Sequence, residues 1–385
     1  MGYYLTNCSY PSNQTFWYHD NNQAIVGIMV VVRVLIALAG IIGNSMVIYA
    51  ARTRWSTMGA SFRYLNRVVV SLAFADLFYS LLGQPFDILH WYASLSGIGP
   101  RLRICGGMWI MSIMTFFQDV CSGASCFHVA LILLLRCLCL TKPLSFEKWH
   151  LRLTKISIYG IWIYTVVIVL IPTAISFRIT KGLYETDEDL YKKYKDIYSS
   201  AWNAVYQLTL TVPLALNVIL GIITIYLLRI QETKDNADQD YCSYRSEPPD
   251  IRVSNNTTGK TTSVFQASGG NSRASRKKAM EKMIKMVTIG TILCYTPNLI
   301  FRSYLQAMVR QGKSGSAYDS TGKVVFAFLA RVGLQVGSII NPFIYATTIP
   351  QFKKLVKRYM KKSVGKKNTE TGSGHPIQSM PASFH

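Results

Sequence analysis

The sequence predicts an all-α membrane protein, a bundle of seven transmembrane helices with a short amphipathic helix after the last. Half of the 385 residues are apolar and only 16% are charged, which is low for a soluble domain. The apolar residues form seven runs of about 18 or more, the length that crosses a bilayer. Because a soluble protein of this size holds one or two such helices in its core, seven indicate a membrane bundle. The runs are Ala24–Ala50, Val68–Tyr92, Met108–Leu135, Ile156–Phe177, Trp202–Leu228, Met283–Leu305 and Val324–Tyr345.

The cations predict the orientation of the bundle. The tail Met1–Gln23 has no Lys or Arg, whereas basic residues follow the first and third runs and are dense in Arg229–Lys285 and after Lys353. The positive-inside rule therefore predicts that the amino terminus lies outside and the carboxyl terminus in the cytosol. The formal net charge of +22 follows mostly from this bias, which also favours anionic inner-leaflet lipids. Since the basic stretches are juxtamembrane, we do not expect nucleic acid as a partner.

The chain divides into a bundle, which contains one long loop, and three further segments. Residues 1–23 form the extracellular tail. Within the bundle, 24–346, residues 229–277 form a long third cytoplasmic loop that is rich in Ser, Thr, Asn and Gly, and we predict that it is disordered. Apolar residues and lysines are interspersed in 350–361, which predicts an interfacial helix on the inner leaflet. Residues 362–385 form a cytoplasmic tail whose serines and threonines are candidate phosphorylation sites for arrestin.

Two glycosylation sequons agree with an extracellular tail. Asn7-Cys8-Ser9 and Asn13-Gln14-Thr15 both match the acceptor pattern for N-linked glycans. The first six residues also fit the loose myristoylation pattern. That modification requires a cytosolic amino terminus, against the charge bias, so glycosylation of Asn7 and Asn13 is the prediction.

Polar and kinking residues recur inside the runs in a fixed order. A charged side chain at mid-membrane costs about 2.5–3.5 kcal/mol on insertion scales, so Asp76 and Arg136 need a reason. Helix packing and proline kinks explain any one of these residues, but not the ordered set. In chain order the set is Gly43-Asn44, Leu72-Ala73-Phe74-Ala75-Asp76, Arg136 at the end of the third run, Trp162, Pro213, Cys294-Tyr295-Thr296-Pro297 and Asn341-Pro342-Phe343-Ile344-Tyr345.

This ordered set resembles the rhodopsin-like class of G-protein-coupled receptors along nearly the whole chain, with peptide receptors the closest in character. The resemblance implies a cell-surface receptor that couples an extracellular ligand to heterotrimeric G proteins. It implies a ligand site in the outer half of the bundle and an outward swing of span six about Pro297 that opens the cytoplasmic side. A receptor of this kind is not an enzyme, and no cofactor is expected apart from a structural sodium ion.

Arg136 departs from the family pattern in what surrounds it. The family holds this arginine at rest with carboxylates, but the acid that usually precedes it is Leu135 here, and the acid on span six is replaced by Lys277. Glu281 lies one helical turn nearer the membrane. One hypothesis is that Glu281 supplies the missing carboxylate to Arg136 for G-protein coupling. The alternative is that Glu281 pairs with Lys277 or Lys285 on its own helix.

The resemblance also implies a polar cluster at the centre of the bundle. In the family these positions build a hydrated sodium site and switch that favour the resting state. Asp76 and Ser125 are the candidate metal ligands, because an unpaired mid-membrane carboxylate is costly and a cation is a sensible companion. A hydrogen-bonded cluster without an ion is the alternative. The predicted members are Asn44, Asp76, Ser125, Ser338, Asn341 and Tyr345.

Three arginines lie in the outer halves of the runs. Arg302 and Arg331 stand at positions that commonly face the ligand cavity in the family, whereas we expect Arg33 to reach the outer headgroups. Asp87, near the top of the second run, is a natural partner for one of the three. The other residues predicted at the cavity are Gln118, Asp119, Tyr295, Asn298 and Gln335.

These residues predict a polar cavity with a net positive charge. We therefore expect an acidic ligand, either a peptide or a small organic anion, and expect Arg331→Ala to weaken the response far more than Arg33→Ala. Amine receptors carry an aspartate where this chain has Gln118, and Asp119 is rotated from that position by about 100°. Light-sensing members carry a lysine where this chain has Gln335. Amine receptors and opsins are both disfavoured.

Two cysteines, Cys8 and Cys105, are expected outside the membrane. The family normally ties the top of span three, here Met111, to the second outer loop. That loop, Thr173–Ser200, contains no cysteine. An oxidising exterior favours pairing, so a Cys8–Cys105 bridge that pins the tail over the cavity is one option and two free thiols are the other.

Other functional classes fit fewer of these observations. The runner-up is a seven-helix receptor that is chemosensory or does not signal through G proteins, which fits the altered sequence Leu135-Arg136-Cys137. A transporter or channel would explain charges inside the spans, but the spans are too few for common inverted repeats. A hydrolase would need an acid or nucleophile beside His128, and none is evident, so we interpret His128 as a helix–helix contact.

Overall fold

The computed structural model describes residues 23–53, 60–95, 108–184, 197, 201, 203–245, 267–310 and 321–348, and within these ranges it is almost entirely helical, with no strand. The predicted fold class is therefore confirmed. The helices are Gln23–Thr53, Ala60–Phe78, Gln84–Leu95, Met108–Thr141, Pro143–Tyr184, Val212–Arg245, Ala267–Arg310 and Thr321–Thr348, with π-helical turns at Tyr79–Gly83 and Gln207–Thr211.

Seven helical segments in the described part of the chain are long and apolar enough to cross a membrane. Their number and order agree with the seven runs predicted from the sequence. We call them spans one to seven. They cover Ala24–Thr53, Tyr64–Leu89, Thr115–Thr141, Lys148–Ile175, Asn203–Lys234, Glu281–Met308 and Gly322–Tyr345.

Span three is the central helix of the bundle. It packs against spans two, four, five and six, while span one packs against spans two and seven and span six against spans five and seven. In its apolar stretch 72% of the residues are buried, against 22% for span four. Span four therefore lies at the periphery, and most polar side chains of span three point into the protein.

Two π-helical turns change the register of spans two and five. Each adds one residue to the helical repeat and so rotates the residues beyond it. At the turn Tyr79–Gly83 the chain approaches span three closely, because a Cβ atom on Gly83 would lie 3.2 Å from the Cα atom of Gln118. Beyond this turn, Gln84 and Asp87 are both buried in the bundle. The turn in span two thus positions two polar side chains of the interior.

A hydrogen-bonded chain joins spans two, three and four. Trp162 Nε1 donates to Ser71 Oγ at 3.0 Å, and Ser71 Oγ lies 2.7 Å from His128 Nε2. His128 Nδ1 lies 2.6 Å from the carbonyl oxygen of Ala124. Because a carbonyl oxygen only accepts, Nδ1 carries the proton and Nε2 accepts from Ser71. His128 is thus a satisfied helix–helix contact, as the sequence indicated.

The helices of spans five and six extend into the predicted third loop. The helix of span five continues to Arg245, and the helix of span six begins at Ala267. Both ends of the segment 229–277 are therefore helical rather than disordered. A helix already formed in the membrane can extend without the free-energy cost of a new nucleus. A prediction of disorder from composition does not take this saving into account.

Several predicted features lie outside the described residues. They are the amino-terminal tail with Asn7, Cys8 and Asn13, the loop with Cys105, the middle of the third loop at 246–266, the interfacial helix at 350–361 and the tail at 362–385.

Candidate functional site

Four groups of interior side chains lie at or beside the positions that the sequence indicated, and we name each by one residue. Along span three, Asp119, Ser125 and Arg136 mark three depths about 9 and 16 Å apart, at 1.5 Å per residue. The Asp87 cluster comprises Arg33, Asp87, Arg331 and Gln335, and the Arg302 cluster comprises Asp119, Tyr206, Asn298 and Arg302. The Asp76 cluster comprises Asn44, Asp76, Ser80, Gln84, Ser125, Ser338 and Asn341. The Arg136 site comprises Tyr64, Arg136, Phe146 and His150.

The Asp87 cluster joins spans one, two and seven. Arg33 Nη2 forms an ion pair with Asp87 Oδ2, and Arg331 Nη1 lies 3.4 Å from Asp87 Oδ1. Arg33 Nε also donates to Gln335 Oε1 at 3.2 Å. Two guanidinium groups share one carboxylate, so these four described side chains together carry one positive charge in excess.

The expectation that Arg33 reaches the headgroups is wrong. The Arg33 side chain is 0% exposed, whereas that of Arg331 is 17% exposed. A buried guanidinium must be paired, and Asp87, which the π-helical turn of span two rotates into the bundle, provides its charge partner. Asp87 is therefore the partner of two of the three arginines. Of these two, Arg331 is the one that a ligand in the cavity can reach.

The Arg302 cluster lies between spans three, five and six. The guanidinium carbon of Arg302 lies 4.8 Å from the centroid of the Tyr206 ring, a cation–π distance. Asn298 Nδ2 donates to the Tyr206 hydroxyl at 2.5 Å. Asp119 is buried on span three, where the charge of Arg302 acts on it. Asp119 is thus the carboxylate of this cluster on which the Arg302 charge acts.

A cavity of about 110 Å³ opens beside the Arg302 cluster, between spans five and six. This volume is below the roughly 300–1,000 Å³ of a typical ligand pocket, so the cavity holds a small group and not a whole ligand. Apart from Leu299 its lining is polar or aromatic: Tyr206, Gln207, Thr211, Arg302, Ser303 and Gln306.

The Asp76 cluster lies at the middle depth. Asn341 Nδ2 donates to Asp76 Oδ2 at 2.9 Å, and the Ser125 side chain lies close enough to act on the same carboxylate. Asn44 Nδ2 donates to the carbonyl oxygen of Ser338 at 3.0 Å. The structure thus brings together five of the six predicted switch residues, from spans one, two, three and seven.

The Ser338 hydroxyl links the Asp76 cluster to the Asp87 cluster. Ser338 Oγ donates to the carbonyl oxygen of Gln335 at 2.7 Å and accepts from Gln84 Nε2 at 3.3 Å. Ser80 Oγ lies 3.4 Å from the same hydroxyl and donates to the carbonyl oxygen of Asp76. Ser338 is therefore bound to neighbouring polar groups and not to the Asp76 carboxylate.

Three further predicted residues are buried inside the bundle. Tyr295 lines a cavity of about 10 Å³ with Ser125, so it lies beside the Asp76 cluster. Gln118 is buried where span three meets Gly83. Tyr345 is buried in the apolar core at the Arg136 end of the bundle.

The Asp76 cluster has the donor atoms of a site for a small, hard cation. Asp76 and Ser125 offer carboxylate and hydroxyl oxygens, the ligands that hard cations prefer. The cavity of about 10 Å³ beside Ser125 is close to the smallest volume that holds one water. In the described residues no group of three or more His, Cys, Asp or Glu side chains could hold a metal ion.

Arg136 lies in a largely apolar environment with an aromatic ring beside it. Its side chain is buried, and its guanidinium carbon lies 5.8 Å from the centroid of the Tyr64 ring. Tyr64 is held in turn by Phe146, with ring centroids 5.0 Å apart, and by His150, at 5.6 Å. Both contacts are edge-on.

Glu281 pairs with its own helix. Its Oε1 atom lies 2.5 Å from Nζ of Lys285, one turn further along span six. Of the alternatives that the sequence left open for Glu281, the structure shows this one. Among the described side chains, no carboxylate forms an ion pair with Arg136.

Sequence reasoning did not single out Tyr64 or Tyr206, but counting residues would have indicated Tyr64. Tyr64 precedes Asp76 by twelve residues and Arg136 follows Ser125 by eleven. Since Asp76 and Ser125 are neighbours, Tyr64 and Arg136 lie at nearly the same depth, about 16–18 Å from that pair along the helix axes at 1.5 Å per residue. Tyr206 had no comparable signal, because the π-helical turn beside it changes the register of span five.

Comparison with known proteins agrees with this architecture. A family model described as 7 transmembrane receptor (rhodopsin family) matches residues 43–345. The gonadotropin-releasing hormone receptor of Octopus vulgaris is 22% identical over 282 residues, 73% of this chain and 62% of that receptor. The galanin-like G-protein coupled receptor npr-9 of Caenorhabditis elegans is 28% identical over 160 residues, 41% of this chain and 33% of that receptor.

The chain thus spans less than two thirds of the length of either relative. The family match is broader: it covers most of this chain and includes Asp76, Asp87, Arg136, Arg302 and Arg331. With seven spans in the expected order, the chain belongs to the rhodopsin family of seven-transmembrane receptors.

Proposed function

We propose that this receptor lies in the plasma membrane with its amino terminus outside and activates a heterotrimeric G protein when an acidic extracellular ligand binds. The ligand is a peptide with a free carboxylate or a small organic anion. The observation that carries the proposal is the Asp87 cluster, in which two arginines share one carboxylate.

The charges favour one arginine as the anchor for the ligand. Arg302 has Asp119 nearby to balance its charge, and Arg33 is fully buried against Asp87. Arg331 is the more exposed member of the Asp87 cluster and lies 3.4 Å from the shared carboxylate. An anionic group that binds Arg331 neutralises the excess positive charge, and bidentate contact with a guanidinium adds orientation to the attraction.

A peptide ligand is supported by the relatives. Both are peptide-type receptors by their names, one for a releasing hormone and one galanin-like. The polar lining of the cavity beside Arg302 suits amide and hydroxyl groups of a second part of such a ligand. A peptide that spans both arginine clusters would bind Arg331 with its acid and this cavity with polar groups.

Coupling to the G protein is proposed for the Arg136 end of the bundle. Arg136 lies on the central helix, and Pro297 interrupts the hydrogen bonding of span six. A proline inside a helix is a common site of bending. Bending of span six at Pro297 would open the bundle beside Arg136, and no motion of the other spans is required for that step.

The proposal is tested by screening acidic ligands against their amides. Cells that express the receptor are given synthetic peptides with free carboxylates, the same peptides as carboxamides, and a set of small dicarboxylates, and G-protein dissociation is recorded. We expect acids to be active and their amides to be weaker. Arg331→Gln should weaken an active acid by about 30-fold or more, since truncating one partner of a buried charge pair costs about 2–5 kcal/mol.

The matched control is Arg52→Gln. Arg52 is exposed near the end of span one, close to the Arg136 side of the bundle, and its replacement should leave potency unchanged. Equal potency of acids and amides, or an Arg331→Gln receptor as sensitive as the parent, would refute the assignment of the anionic group. If no G protein responds in any condition, a receptor that signals by another route becomes the better description.

We also propose that a sodium ion binds the Asp76 cluster and favours the resting conformation. Support comes from the oxygen donors of Asp76 and Ser125 and from the small cavity that Ser125 lines. A bound cation would balance a carboxylate at mid-membrane, where an unpaired charge is costly.

A further inference from the structure

We propose that Tyr64 is the positioning residue that holds Arg136 at rest, in place of a carboxylate. The inference rests on the proposed function, because it concerns the arginine expected to contact the G protein. It identifies an aromatic ring on span two as the partner of a cation that has no acidic partner among the described residues.

The first step is the geometry of the pair. The guanidinium carbon of Arg136 lies 5.8 Å from the centroid of the Tyr64 ring, within the range of about 6 Å over which the negative face of an aromatic ring attracts a cation. Tyr64 is 1% exposed and Arg136 is 6% exposed. Because water is largely excluded from both, the attraction is weakly screened and stronger than at a surface.

The second step is that contacts with two other rings hold the Tyr64 ring in place. Phe146 contacts Tyr64 edge-on with centroids 5.0 Å apart, and His150 does so at 5.6 Å. Both belong to the helix that begins at Pro143 and continues into span four. The ring is therefore wedged between Arg136 and this helix, and its face stays available to the guanidinium.

The third step is that the ring and not the hydroxyl makes the contact. The charge of Arg136 and the thiol of Cys139, a weak hydrogen-bonding group, both act on the Tyr64 hydroxyl. No hydrogen bond joins the Tyr64 hydroxyl to Arg136 among the described atoms. A phenylalanine at position 64 would keep the ring and its contact with the cation.

The fourth step is that the rival partner is occupied. Glu281 on span six binds Lys285 of the same helix. The contact that restrains Arg136 is thus made with span two, not with the helix that is proposed to move. Release of Arg136 then needs the side chain to leave the ring, and the ring itself does not travel with span six.

This arrangement predicts a measurable resting activity that depends on the ring. Purified receptor in lipid nanodiscs is mixed with a panel of G proteins, without ligand, and the rate of nucleotide exchange is measured for the parent, Tyr64→Phe and Tyr64→Leu. We expect Tyr64→Leu to raise basal exchange by roughly 5- to 30-fold, the factor that loss of one buried cation–π contact gives. Tyr64→Phe should match the parent.

Two further variants make the result specific. Tyr159→Leu replaces a tyrosine that is 68% exposed on span four and should leave exchange unchanged. Phe146→Leu removes an edge contact that fixes the ring and should give a smaller rise than Tyr64→Leu; it replaces Tyr64→Leu if that variant does not fold. If folded Tyr64→Leu exchanges nucleotide at the parent rate, the inference is overturned; if Tyr64→Leu does not fold, the same result for Phe146→Leu overturns it. A rise in Tyr64→Phe equal to that in Tyr64→Leu also overturns it.

Hydrogen exchange by mass spectrometry separates this inference from the proposed function. It reports on the cytoplasmic end of span three, residues 129–141, without any G protein. If no G protein is activated in any variant but this segment exchanges faster in Tyr64→Leu than in Tyr64→Phe, coupling fails while the role of Tyr64 stands. Unchanged hydrogen exchange in Tyr64→Leu, together with unchanged nucleotide exchange, contradicts the role of Tyr64.

Discussion

At the scale of single residues, depth in the membrane could be predicted from the sequence, but rotation could not. Arg33 lies eleven residues before Asn44, Asp87 eleven after Asp76, and Arg331 ten before Asn341. At 1.5 Å per residue all three lie about 15–16 Å from the Asp76 cluster, which is why they meet. Their rotation about each helix is set by packing and, in span two, by a π-helical turn.

The Arg33 assignment was wrong for this reason. Its distance from the start of span one allowed the side chain to reach the headgroups, but the side it faces is the interior. In contrast, the prediction that Asp87 pairs with an arginine needed only equal depth and opposite charge. Asp119 shows the same limit of the sequence. Its offset from the position of the aspartate in amine receptors was visible, but its position near Arg302 was not.

Replacing Arg33 should destabilise the receptor. Arg33→Met removes one of the two described ion pairs of the buried Asp87, and removing one member of a buried ion pair costs about 3–5 kcal/mol. We expect a lower temperature of half-unfolding in detergent for Arg33→Met. Arg33→Met combined with Asp87→Asn should recover part of this loss, and failure of the second change to recover any of it would mean that the two side chains do not stabilise each other.

Sodium should stabilise the parent and not the Asp76→Asn variant. A ligand that binds the folded state stabilises it by about 1.4 kcal/mol at tenfold its dissociation constant, and Asp76→Asn removes the charged oxygen that attracts the ion. Thermal unfolding is compared in sodium chloride and choline chloride at equal ionic strength. Equal unfolding temperatures of the parent in the two salts would remove the sodium proposal.

At the scale of elements, the hydrophobic runs predicted all seven spans because each run is longer than a soluble helix needs. The helix ends were less predictable. Span five continues to Arg245 and the helix of span six begins at Ala267, both within a polar stretch without a hydrophobic stripe. Each helix there is a continuation of the membrane-spanning helix next to it, so the residues of the polar stretch do not have to start a helix themselves.

Close packing of span one against spans two and seven should depend on Gly40. A Cβ atom there would overlap Ser80 Oγ and lie 3.3 Å from Ser338 Oγ, whereas a Cβ atom on Gly27 of the same helix meets nothing within 4 Å. Gly40→Ala should lower stability by about 1–3 kcal/mol, the usual cost of overpacking. Gly27→Ala, the matched control, should change it little.

The measurement is thermal unfolding of both glycine variants in the same detergent. A Gly40→Ala receptor that unfolds at the temperature of Gly27→Ala would contradict the close approach of the helices. The sequence alone indicated Gly43-Asn44 in this region but did not single out Gly40, because a glycine is informative only once its neighbour on another helix is known.

At the scale of the whole molecule, the ordered motifs were the strongest signal. Motifs from six of the seven spans and Arg136 at the end of the third arrived in one order, and no single one of them was decisive. The order of the motifs could not show which side chain takes the place of a residue that departs from the family pattern. The loss of an acid before Arg136 was visible and counting residues gives Tyr64 the depth of Arg136, but the contact between the ring and the cation became evident only from the packing of spans two, three and four.

The orientation of the bundle is tested through the two sequons. With the amino terminus outside, Asn7 and Asn13 pass through the secretory lumen and should carry glycans. Digestion with an N-glycosidase should increase the gel mobility of the parent protein. The double variant Asn7→Gln, Asn13→Gln should already show that mobility. A parent protein whose mobility does not respond would argue for the opposite orientation.

The Asp87 cluster also bears on how the chain is made. Along the chain, Arg33 belongs to span one, Asp87 to span two, and Arg331 and Gln335 to span seven, which is synthesised later. During synthesis the first two therefore neutralise each other long before the seventh helix arrives with another cation. A nascent chain that stops short of the seventh helix would already have Arg33 and Asp87 paired, so chaperones that survey the growing protein would not encounter these two charges unpaired.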